Sequence, residues 1–358
     1  MGRVETKGHV DMTRAEMKRT GMKRFRSVLA AIAVAVLALA PVSARAEADT
    51  VRFAMPYGLG YLPTYVVADR ELIQKHARAA GLGHITVTIR HMASGPLTSD
   101  LILAGDADIG MGGWGPAFIL WDKTRGPQKV RAITPLSGAP IVLLSVDPRI
   151  RTLRDFRDGD RIAMSAIKVT DQAVTLQMAA AREFGWAERF RLDPLTISMS
   201  NPDGMAALLS GQSEVKNQFA IPPFSAILME SGKTHVVMTS EDYLTPGSSG
   251  SLVYTTARFH DTNPKLYAAV AAAYEDAFAF IAENPGGAAG IYIHHEPQKR
   301  DLAWIAALIR DPKMMYYSSI PRGIGEHAEF MFRIGTLKTR PDSWKDLFWE
   351  NMHAKPGD

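Results

Sequence analysis

Cysteine is absent from all 358 residues. That excludes disulfides, thiolate metal sites and a lipid-accepting cysteine behind any secretion signal. Motifs that commit a chain to catalysis are missing too. No G-x-S-x-G elbow and no Walker A loop occur, and Ser94-Gly95 has no assignable His and acid partners. His294-His295-Glu296 lacks the H-E-x-x-H spacing that puts two imidazoles on one helical face, so a solvated loop is expected there. Asp106 and Asp108 stand at a helix-to-strand turn, where aspartate serves the backbone. No catalytic residue, cofactor or metal site is expected. A membrane span is excluded for the apolar run at residues 27–40, whose 14 residues fall short of the ~20 required.

That run instead reads as the core of a leader. Residues 22–26 are a basic n-region, and Ala44-Arg45-Ala46 offers an A-x-A cleavage site. Residues 1–46 are therefore expected to be a leader with a secretory signal, starting at Met22 or Met17. Of the 41 basic and 37 acidic residues, this segment holds 9 and 3, leaving 32 and 34 and a net charge of −2. The basic balance of the whole chain belongs to the leader, and it gives no case for nucleic acid. An exported chain without a lipid anchor points to a periplasmic location, and a monomer is expected.

What is present, twice, is one strand–turn–helix unit. Ser94-Gly95-Pro96 opens a helix that stops at Gly105-Asp106 and leads into a strand from Ile109. The same pattern returns 106 residues later, with Pro202, Leu209, Gly211, Glu214 and Val215 matching Pro96, Leu103, Gly105, Asp108 and Ile109 without a gap. Proline suits the first helical turn because its missing N–H is unpaired there anyway, and glycine suits the residue past the end. Repetition at this spacing suits two similar α/β lobes rather than a solenoid. Strands at residues 51–55, 84–91, 109–111 and 129–134 alternate with helices at about 64–80, 96–104 and 116–123. That order argues for a parallel sheet covered on both faces.

An apolar strand at residues 141–146 then leads to a second lobe. It holds strands at 161–165, 195–199, 215–220 and 235–239, and a helix from about 171 to 184 capped by Thr170 or Asp171. The linker-like segment 245–250 and the strand 251–256 return the chain to the first lobe. Helices follow from Asn263-Pro264 to Asn284-Pro285, and at residues 302–309, 326–334 and 343–350. The expected organisation is residues 47–139 plus 247–358 as lobe 1 and 140–246 as lobe 2.

Open α/β sheets bind ligands at their strand-to-helix turns, where backbone N–H groups and helix N-termini converge. In the first lobe those turns carry Tyr57, Gly58, Tyr61, Ser94, Gly95, Pro96, Gly113, Trp114 and Ser137. In the second they carry Ser165, Lys168, Thr170, Asn201, Gln218 and Phe219. These fifteen residues are the candidate ligand site, with Tyr57, Tyr61 and Trp114 as walls and Lys168 as a clamp for an anionic solute.

With the leader, the duplicated unit and the there-and-back connection, the chain resembles the nitrate/sulfonate/taurine-type solute-binding proteins of ABC transporters. That superfamily also holds a pyrimidine-precursor synthase of thiamine biosynthesis. The resemblance runs over residues 50–350 and is carried by residues 51–57, 62–69, 94–96, 103–109, 113–116, 153–156, 160–163, 207–211 and 218–223. It implies a type II periplasmic-binding-protein fold, two Rossmann-like lobes joined by a two-strand hinge. It also implies a small-molecule solute trapped between the lobes and handed to an ABC permease. Sulfonates, nitrate, aromatic carboxylates and pyrimidines all stay open as solutes. Two departures stand out: Gly113-Trp114 replaces the familiar Gly-Asp, and Ser165-Ala-Ile-Lys-Val-Thr170 replaces a Lys-Gly-Ser-like turn. The synthase's cysteine-rich motif has no counterpart, which counts against that reading; the alternative kept is an enzyme on the same fold acting on a pyrimidine-like substrate of thiamine-precursor metabolism. A sensory input protein is the third reading.

Overall fold

A computed structural model describes residues 1–2, 46–297 and 299–358. The leader expected at residues 1–46 therefore lies almost wholly outside the described residues. The chain divides after Ala46, and everything below concerns Glu47–Asp358. Among the described residues no helix is long and apolar enough to cross a membrane.

In chain order the strands are β1 (Thr50–Met55), β2 (Thr86–His91), β3 (Ile109–Gly113), β4 (Val130–Ser137), β5 (Val142–Ser145), β6 (Ile162–Met164), β7 (Thr196–Ser198), β8 (Asn217–Ala220), β9 (His235–Thr239) and β10 (Ser251–Thr256). They form two five-stranded sheets with orders β2-β1-β3-β10-β4 and β7-β6-β8-β5-β9. The duplication read in the sequence is thus a duplication of topology. In each sheet the fourth place is taken by the strand that has just crossed from the other. Those two strands run antiparallel to their neighbours, so the sheets are mixed where a parallel sheet was expected. The exception has a plain cause: each arrives directly from the other sheet, with no helical crossover to reverse its direction.

The repeated helices, Gly95–Ala104 and Asn201–Ser210, match in detail. Both carry proline in the first turn, and both end on a left-handed glycine, Gly105 at φ 78° and Gly211 at φ 68°. Central strand β3 is buried throughout, and Gly110 within it leaves room for the Tyr254 ring of β10. A Cβ on Gly110 would stand 2.4 Å from that ring.

Two other expectations differ. The helix expected over residues 64–80 is two helices, Leu62–Asp69 and Leu72–Ala79, because Glu71 between them adopts a left-handed φ of 50°. Residues 343–350 form short 3-10 turns, Trp344–Leu347 and Glu350–Met352, whose side chains Leu347 and Met352 fill the core beneath.

Helix Asp171–Phe184 ties the two sheets together. Ala173, Leu176 and Ala179 on one face join the core of the second sheet. Val174 on another face joins Trp114 and Phe118 in a core of the first. A helix apolar on two faces must be covered on both, so the layers meet along it.

Candidate ligand-binding cleft

Where the strand-to-helix turns of the two sheets face each other lies a partly enclosed cleft of ≈ 640 Å³, mouth included. The first sheet supplies Tyr57, Tyr61, Gly95, Gly113 and Ser137, and the second supplies Ser165, Thr170 and Asn201. These eight are among the fifteen expected residues. The cleft also takes Pro56, Gly60, Pro116, Ala139, Ile141, Asp171, Gln172, Ile221, Pro222, Gly250, Ser251 and Met315.

Tyr57 and Tyr61 stand on the β1 loop, which is held from behind. The N–H of Gly58 donates to Glu296 Oε1 at 3.0 Å, and Tyr65 Oη donates to the same oxygen at 2.6 Å. Tyr292 Oη donates to Oε2 at 3.0 Å. Burial pushes the Glu296 carboxyl up, against the pull of these three donors. The same charge, with burial, raises the Tyr65 hydroxyl. Residues 294–296 were expected to be a solvated loop. Instead helix Pro285–His295 ends there, His295 stacks on Tyr65 at 4.7 Å, and Glu296 is buried. Tyr57 stacks on His91 at 4.7 Å, and burial keeps that imidazole below its usual range.

The far wall is built on Gln172. Its Oε1 accepts from Ser165 N at 2.7 Å and Ser165 Oγ at 2.8 Å. Its Nε2 donates to Phe219 O at 3.1 Å and reaches Asn201 Oδ1 at 3.4 Å. One amide therefore pins the ends of β6 and β8 and the start of helix Asn201–Ser210. Thr170 caps helix Asp171–Phe184 by accepting from Ala173 N, as one of the two capping choices required.

Asp171 is the one charged side chain lining the cleft. Burial pushes its carboxyl up to about 6, opposed by the backbone N–H groups of Asp171 and Gln172. The carboxylate lies against the end of β3, where a Cβ on Gly113 would fall 2.1 Å from Oδ1. Gly113 therefore makes the space that the acid fills.

Seven expected residues are not brought to the cleft. Trp114 is 1% exposed because its indole stacks on His327 at 4.1 Å in the core beneath helix Asp171–Phe184. Lys168 is exposed on a turn with a left-handed φ of 69°, and its charge bears on Asp193. Phe219 is fully buried in the core of the second sheet, the inward alternate of its strand. Gln218 is buried beneath Gly204 and donates to Asn201 O at 3.0 Å, which positions that helix from below. Ser94 is buried and Pro96 half-buried at the start of helix Gly95–Ala104, with only Gly95 reaching the cleft. Gly58 packs against Ile221 and Pro222 of the other sheet. Among the residues missed, Asp171 was weighed only as a helix cap. Glu296 falls in the expected solvated loop with its histidines, and no local signal in the sequence marks it as buried.

No protein-family model matches the chain, and no curated protein matches it in sequence. Solved structures do. The periplasmic aliphatic sulphonate binding protein SsuA from Escherichia coli is similar at 15% identity and a TM-score of 0.61, over 86% of this chain and 99% of that one. The periplasmic nitrate-binding protein NrtA from Synechocystis PCC 6803 is similar at 16% identity and a TM-score of 0.68, over 86% and 87%. A conserved Candida albicans gene product with the generic periplasmic binding protein fold is similar at 11% identity and a TM-score of 0.60, over 85% and 97%. At such identities the shared property is architecture: this chain has the periplasmic-binding-protein fold.

Proposed function

We propose that the protein is the periplasmic solute-binding subunit of an ABC importer, capturing a small organic solute between two lobes and presenting it to a membrane permease. The observation that most supports this is the cleft itself, lined from the strand-to-helix turns of both sheets. Residues 47–139 plus 247–358 act as one lobe and 140–246 as the other, and they open and close about residues 138–141 and 245–251. Gly138 and Tyr316 exchange both backbone hydrogen bonds at 3.0 Å, and Tyr316 Oη donates to Gly247 O and Ser248 O. One tyrosine thus holds both connections. A solute that contacts both lobes binds the closed form better and shifts the population towards it. The Tyr57 and Tyr61 rings, with Ile141, Ile221 and Met315, suit a solute with a flat or apolar body.

The test is to purify the protein, denature it, and identify what is released by mass spectrometry. One unchanged small molecule per chain, whose return compacts the protein in X-ray scattering, is the expected result. Turnover of that molecule during incubation would instead favour an enzyme on this fold.

A further inference from the structure

We infer that the cleft selects a solute presenting a positively charged or N–H-donating nitrogen to Asp171, with no acidic group at that end. This rests on the solute-binding reading above and sharpens it to a chemical class.

Three observations carry it. First, among the described residues no lysine or arginine lines the cleft, while Asp171 does. Second, Asp171 opens helix Asp171–Phe184, the place where a helix N-terminus would otherwise draw the anionic group of a solute. The protein's own carboxylate already takes up that field, so a solute anion there meets a like charge. Third, the amide next to Asp171 along the chain is committed. The Gln172 amide is engaged on both ends by Ser165, Phe219 and Asn201, so it has no hydrogen to offer a solute anion. The Tyr61 ring stands close enough for its hydroxyl to be raised by the Asp171 charge, after the larger effect of burial.

The upward shift of Asp171 fits the same picture. Its half-buried carboxylate has no cation beside it in the cleft, and an incoming ammonium or amidinium would supply the missing counter-charge. Gly113 at the end of β3 leaves the room that this carboxylate needs.

The experiment uses two pairs of probes matched in size, benzylamine and benzamidine against benzoate and benzenesulfonate. Each is titrated at millimolar concentration into the purified protein, with thermal shift and calorimetry as readouts. The cations are expected to bind and stabilise, and the anions to do neither. Asp171→Asn should weaken the cations by about 30-fold or more, while leaving the fold intact because it removes a buried charge rather than a partner. The titrations of the unmodified protein decide the question even if that variant does not fold. Binding of the anions, or cation binding unaltered by Asp171→Asn, overturns the inference and leaves the solute-binding reading standing. Binding by neither pair, together with no small molecule released on denaturation, overturns the solute-binding reading and the inference with it.

Discussion

His327 offers the sharpest test of how the fold is held together. Its ring is fully buried, stacks on Trp114 at 4.1 Å, and has no hydrogen-bond partner on either nitrogen among the described residues. Burial pushes its pKa down to about 3 from an ordinary 6.5. The folded protein therefore holds this histidine neutral, while the unfolded chain binds a proton below pH 6.5. Between these values the unfolded state carries the extra proton, so stability rises with pH and is lost on acidification, at up to about 1.4 kcal/mol per pH unit. From pH 7 to pH 5 the loss is about 2 kcal/mol.

Asp171 acts in the opposite sense over the same range. Its folded pKa lies above the unfolded one, so it adds stability as pH falls through about 6. The raw pH profile therefore mixes the two, and the measurement must be a difference. His327→Phe keeps an aromatic ring against Trp114 and removes the titrating group. Urea unfolding at pH 5, 6 and 7, followed by both fluorescence and circular dichroism, gives the stability of each form where the two probes coincide. The variant should gain about 2 kcal/mol on the parent between pH 7 and pH 5. A difference that stays constant across that range would refute the argument, because it would mean the imidazole reaches water or a partner in the folded protein.

Other consequences can be checked more briefly. Gly113→Ala places a Cβ 2.1 Å from the Asp171 carboxylate; the lobes should no longer meet fully, seen as a larger radius of gyration with the co-purified solute bound and an affinity at least about tenfold weaker. Glu230 accepts from Trp304 Nε1 at 2.8 and 2.9 Å and pairs with Arg300 at 3.0 Å, linking helices Phe224–Glu230 and Leu302–Arg310. As a solvent-exposed clasp it contributes only ~0.5–1 kcal/mol, so Glu230→Gln should move the open–closed balance about two- to fivefold, read from scattering and from solute affinity. Glu296→Gln replaces the charge that anchors Gly58, Tyr65 and Tyr292. It should cost about 1–3 kcal/mol in urea unfolding and speed hydrogen exchange at the Gly58 amide; unchanged exchange there would show that the β1 loop is held by other contacts.

Much of the architecture was legible because it rests on local rules. The paired helices were set by Pro96, Pro202, Gly105 and Gly211, whose backbone preferences act within a few residues. The strands at residues 251–256 and 142–145 were marked by apolar runs after turn-rich segments. What was not legible depends on contacts between distant segments. Nothing local shows that Glu71 turns left-handed and splits a helix, or that Leu347 is pulled into a core by a partner far off in sequence. The antiparallel entry of β5 and β10 is likewise a property of the two sheets together.

The cleft shows where this boundary lies at the scale of single side chains. The turn at residues 165–171 is expected to line a cleft, and Ser165, Thr170 and Asp171 do; its charge is expected from Lys168, whereas the cleft receives Asp171, three residues on. A turn's position follows from strand and helix periodicity, but which of its side chains points inward follows from backbone angles within it. Lys168 stands exposed at φ 69°, and helix Asp171–Phe184 then begins with its acid against Gly113. Trp114 failed for the same reason in reverse. Gly113 at the end of β3 leaves room for a carboxylate, so the indole beside it turns away from the cleft and packs on His327. A glycine before the tryptophan and an acid at the cap are one feature, visible only when the two halves of the chain face each other. It reverses the sign of the charge that a solute should carry.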